Sequence, residues 1–99
     1  MVDIKVTITD TRISLSPKRA FRGAYVRFIM LNVGNKPHTF AFGTAKRGTG
    51  VQTGFTRPLE PKQRKILMLF LDHRGRVAYY GSLAADRSKP GMRGVFTIS

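Results

Sequence analysis

Ninety-nine residues, 41% of them hydrophobic and including seven Phe and three Tyr, supply one packed domain spanning 1–99 and exclude a disordered chain. The lack of any cysteine excludes disulfides, iron–sulfur clusters, thiol nucleophiles and thiolate metal sites. Eighteen Lys and Arg against five Asp and Glu give a net charge of +13. The excess is spread evenly, with nine bases and two acids in 1–50 and nine and three in 51–99, so it is no basic tail and favours anionic partners.

In chain order the dominant pattern is period two. Val2, Ile4, Val6 and Ile8 alternate with polar residues, as in a strand with one buried face. Asp10-Thr11-Arg12 reads as a turn, after which Ile13 and Leu15 continue the pattern. Ala24–Val33 is a second strong strand, broken by the turn residues Asn32–Pro37. A short strand is expected over His38–Phe42, then a loop with room for a helical turn over Gly43–Gly54, then a turn at Pro58–Pro61. Lys65–Leu71 and Arg76–Tyr80 read as a hairpin through Asp72–Gly75. The run Ile66–Leu71 reads as a buried strand, with Met30 and Met68 as core filler. Tyr79 and Tyr80 should face opposite sides of their strand. Gly81–Gly91 reads as a long loop before a last strand over Gly94–Ile98. About seven to eight short strands with frequent turns indicate an all-β, antiparallel Greek-key sandwich. No apolar run approaches the roughly 20 residues that span a bilayer, and Met1-Val2-Asp3 does not open a signal peptide.

No catalytic constellation stands out: the five acids are scattered singly and no phosphate-cradling Gly-Lys-Thr motif occurs, so the chain is read as a non-enzyme. Three segments together resemble the cupredoxins, the blue-copper family. Asn32-Val33-Gly34-Asn35-Lys36-Pro37-His38 is similar to the family's Asn-x-Gly-x-x-Pro-His pattern. Pro58-Leu59-Glu60-Pro61-Lys62 is similar to its Pro-Leu-x-Pro-Gly turn. Tyr79-Tyr80-Gly81 and Gly91-Met92-Arg93-Gly94 resemble the two ends of its ligand loop, Tyr-Tyr-Cys … Gly-Met-x-Gly.

The resemblance implies a copper held by His, Cys, His and a long axial Met. His38 matches the first His and Met92 the Met, while Gly81 stands where the Cys should be. The second His is also missing: counting five forward from Gly81 reaches Asp86, and counting five back from Met92 reaches Arg87. The turn residue His73, on the far side of the Arg76–Tyr80 strand, is no co-ligand. A blue site is therefore excluded, and the preferred expectation is a degenerate site without a cofactor, the alternative being a weak non-blue copper site of His38, Met92 and Asp86.

Lys36, Arg87, Lys89 and Arg93 should gather at the His38 pole, through which cupredoxins dock partners. The expected function is thus a binding or accessory domain for an acidic protein or polyanion. Non-specific nucleic-acid binding is a further reading, and its sign would be several aromatics exposed beside a basic face. The resemblance implies a periplasmic or extracellular setting; oligomeric state is not legible.

Overall fold

The computed structural model describes residues 2–43, 54–71 and 73–99. Among these, nine strands form two sheets: β1 (Val2–Ile8), β2 (Ile13–Ser16), β3 (Arg19–Ala20), β4 (Tyr25–Asn32), β5 (Ala41–Phe42), β6 (Gly54–Phe55), β7 (Arg64–Phe70), β8 (Gly75–Tyr80) and β9 (Arg93–Ile98). The first sheet has the order β2-β1-β4-β7 and the second β3-β9-β8-β5-β6. The sandwich expected from the alternation is there, with one difference: both sheets are mixed. β1 runs parallel to β4, from Val2↔Val26 to Ile8↔Asn32, and β3 runs parallel to β9. Alternation reports which face is buried and carries no strand direction, so the parallel pairs were not legible.

Period two puts Ile4, Val6 and Ile8 of β1 and Val26, Phe28 and Met30 of β4 into the core, all at 0% exposure. Burying each such side chain contributes about 1.5–3 kcal/mol. Phe28 is the centre of an aromatic cluster, with ring centroids 4.8 Å from Phe42, 5.6 Å from Phe40 and 5.9 Å from Phe96. Tyr79 is buried and Tyr80 half-buried, as alternation requires.

Several local expectations are corrected. β7 and β8 form no hairpin: β7 pairs with β4 in the first sheet, and β8 pairs with β5 and β9 in the second. The run from Ile66 is not buried either. Its register against β4 turns Lys65, Leu67 and Leu69 inward, leaving Ile66 (55%), Met68 (52%) and Phe70 (45%) exposed on an uncovered sheet face. Met30 is core, whereas Met68 is not. His38 lies outside any strand, joined to Leu59 by an isolated bridge, and β5 is confined to Ala41–Phe42. Most of the Gly43–Gly54 stretch lies outside the described residues. The loop after Tyr80 holds a one-turn helix α1 (Ala84–Arg87) and a 3₁₀ turn (Pro90–Met92), both too short to leave a periodic signal. No helix among the described residues is long and apolar enough to cross a membrane.

Candidate functional site

β1 and β4 end side by side at Ile8 and Asn32, and β8 ends near the start of β9. The turn after β1, the loop after β4 and the loop after β8 therefore gather at one pole. Asn32, fully buried, builds the second of these. Its side-chain amide donates to the carbonyls of Lys36 (2.8 Å) and Leu59 (2.9 Å), and its Oδ1 accepts from the Gly34 amide (2.9 Å). This satisfies buried polar groups that the turn would otherwise leave unpaired, and it sets Pro37 and His38 in place. Thr39 and Ser82 then tie this loop to the loop after β8 through a 2.7 Å hydroxyl contact and a 2.8 Å bond from the Ser82 amide.

His38 is 1% exposed and held from both sides. Its Nδ1 lies 2.7 Å from Oδ2 of Asp86, itself 2% exposed, and its Nε2 lies 2.8 Å from Oδ1 of Asp10. Both ring nitrogens are thus engaged by carboxyl oxygens, which fixes the orientation of the ring. Lys89 closes the cluster: its Nζ donates to the Asp10 carbonyl (2.8 Å) and sits 3.6 Å from Oδ1 of Asp86. Each of the two acids is thus engaged by neighbouring groups, as polar atoms in a buried setting require. The His38 hydrogen bond holds the Asp10 carboxyl below its ordinary range, and the Asn35 and Lys36 amides add to this against the opposing effect of desolvation. Gly34 makes the approach possible, since a side chain there would run into the Asp10 carboxylate.

The predicted site residues meet here. A Cβ on Gly81 would lie 3.5 Å from Oδ2 of Asp86 and 3.5 Å from the Met92 methyl, and Met92 is buried. Of the two candidates for the missing second His, Asp86 faces His38 while Arg87 is exposed. His73 is exposed at the far end of β8. Lys89 is drawn into the cluster, which leaves Lys36, Arg87 and Arg93 exposed around it. Two residues escaped the sequence reading. Asp10 lies 28 positions from His38, and only the parallel β1–β4 register brings it there. Arg12 joins the rim because the Thr11–Arg12 backbone abuts Gly91, and with Lys18 and Arg93 it lines a shallow groove.

These donors do not fit a copper ion. Both His38 ring nitrogens face carboxylates, Asp86 is engaged by His38 and Lys89, and Gly81 offers no thiolate. Among the described residues, no group of three or more His, Cys, Asp or Glu is arranged to hold a metal.

No family model matches this sequence, and no curated sequence is similar to it. Solved structures are similar in fold. Reduced auracyanin from the photosynthetic bacterium Roseiflexus castenholzii superposes with a TM-score of 0.76 at 13% identity, covering 100% of this chain and 98% of that one. A purple cupredoxin from Nitrosopumilus maritimus gives 0.57 at 20% identity, covering 100% of both chains. A multicopper oxidase gives 0.67 at 21% identity over 98% of this chain, which spans only 41% of the oxidase. The chain has the cupredoxin fold.

Proposed function

We propose that the chain is a non-enzymatic, cupredoxin-like binding domain whose former copper pole docks an acidic protein surface. The observation that carries this reading is His38, pinned at both nitrogens by Asp10 and Asp86, so that hydrogen bonding engages the ring at the place where the fold family binds its metal. Without a thiolate or a free imidazole the pole has no redox chemistry of its own. What it offers is an exposed basic rim of Arg12, Lys36, Arg87 and Arg93 around a buried hydrogen-bonded centre. Arg87 and Arg93 also border a groove of about 690 Å³ whose other walls include Tyr80, Gly81, Met92 and Val95, giving an acidic side chain with an apolar neighbour a place to seat. Acidic protein is favoured over copper because His38 and Asp86, two of the three candidate donors, are already engaged.

Exposed complementary charges act mainly on the association rate. Reversing Arg12, Arg87 and Arg93 to Glu should slow association with poly-glutamate about tenfold more than reversing Lys5, Arg74 and Arg76, a set away from this rim. Both variants change the net charge equally, so the difference reports position. Equal slowing in stopped-flow measurements would show that the pole has no special role.

A further inference from the structure

Five of the described aromatics, Phe28, Phe40, Phe42, Tyr79 and Phe96, fill the core. Of those that do not, Phe21 is 72% exposed, Tyr25 59% and Phe70 45%, all at the pole opposite His38, whereas Tyr80 is half-buried near it. Tyr25 and Phe70 are direct cross-strand partners at the end of the first sheet, with ring centroids 4.8 Å apart. Phe21 opens the turn that leads into β4, closed by the Ala24 amide on the Phe21 carbonyl and fastened to the end of β7 by the Leu71 amide on the Ala24 carbonyl. Ile66 and Met68 extend the exposed surface along β7.

Charge is distributed around this platform in an ordered way. Arg27, which stands inside it opposite Met68, is neutralised by a two-pronged bridge to Asp3 at 2.9 and 2.7 Å. Two exposed arginines lie at its margin. Arg22 is in the Phe21 turn and Arg74 just precedes β8. On the platform's own sheet face Lys5 and Arg64 follow further along, beside Ile29 and Leu31, while Arg19 and Arg76 project from the outer face of the second sheet, on the other side of the sandwich. A neutral aromatic centre with a cationic margin is the surface that holds stacked bases on rings and their phosphates on arginines.

Two other occupants fit less well. Strand addition at the β7 edge is opposed by Lys65, an inward-turned charge of the kind that blunts edges. A second copy would bring two +13 chains together arginine to arginine. We infer that the Phe21–Tyr25–Phe70 pole is a stacking platform for single-stranded nucleic acid, a site separate from the acidic-protein rim around His38.

The test is anisotropy with labelled oligo(dT) of about 15 nucleotides, near the upper site size of compact single-strand binders. A duplex of equal length and vesicles of phosphatidylcholine with phosphatidylglycerol serve as competitors. Tyr25→Leu with Phe70→Leu keeps the net charge and the apolar bulk but removes the rings. It should weaken oligo(dT) binding at least about tenfold and leave duplex binding unchanged, and Phe21→Leu alone, outside any strand, should weaken it about fivefold. Wild-type affinity for oligo(dT) in both variants would overturn the platform and leave only diffuse charge. Vesicle binding that survives the leucine variants, without preference for the oligonucleotide, would assign the face to lipid. A salt-stable dimer in sedimentation that these substitutions abolish would assign it to a second copy.

Discussion

The two poles of this sandwich treat their side chains in opposite ways. Around His38 the polar groups that chain spacing scatters across Asp10, Asp86 and Lys89 satisfy one another and leave the solvent little but a rim. Around Tyr25 the apolar groups that could have filled a core stand in solvent. The first pole shows how side chains distant in sequence can satisfy one another's polar atoms within loops. The second shows that exposed aromatic area is not a by-product of poor packing, because the core beside it is complete.

If that contrast is real, it should appear first in stability. Asp86→Ala removes a buried carboxylate and leaves the buried Nδ1 of His38 without its partner, which should cost about 3 kcal/mol, whereas Tyr25→Ser at the open pole should stay within about 0.5 kcal/mol. Urea midpoints measure both, and similar losses would erase the distinction. A smaller effect is expected from Gly34→Ala, which forces the Asp10 carboxylate aside and should cost about 1–3 kcal/mol by overpacking.

The pH dependence sharpens the picture further. Asp10 is held below its ordinary range in the folded chain, so the unfolded state binds its proton first as pH falls. Its stabilising contribution is therefore present above the usual carboxylate range and lost as pH drops through the lowered folded value. Asp3 behaves likewise through its bond to Arg27, so the comparison belongs in an Asp3→Asn background. There, Asp10→Asn should lower the urea midpoint at neutral pH, and the gap to the parent should close as the solution is acidified. A gap that persists in acid would mean that Asp10 acts through shape and not through charge.

Sequence order revealed these features unevenly. Alternation exposed the buried faces of β1 and β4, and the Asn32–His38 and Tyr79–Gly94 segments revealed the fold, because both depend on local spacing. The same spacing brought His38, Gly81, Asp86 and Met92 into one neighbourhood. It could not place Asp10, whose approach depends on strand direction, nor the exposure of Met68, which depends on a register set by β4. A uniformly apolar run such as Ile66–Phe70 has no polar phase to declare which face turns inward. Of the exposed aromatics, Phe70 was hidden for the same reason, whereas Phe21 lies outside any strand and has no alternation to place it.

The cluster around His38 also bears on how long a molecule stays folded. Its bonds join residues 28, 48 and 79 positions apart, drawn from both sheets and from both ends of the chain. Contacts of such separation close only after the intervening chain has been ordered, so they belong to the last stage of assembly. Interactions absent from the transition state leave the folding rate almost untouched and act on the unfolding rate. The bonds around His38 therefore do little to guide the chain to its fold and much to delay its escape.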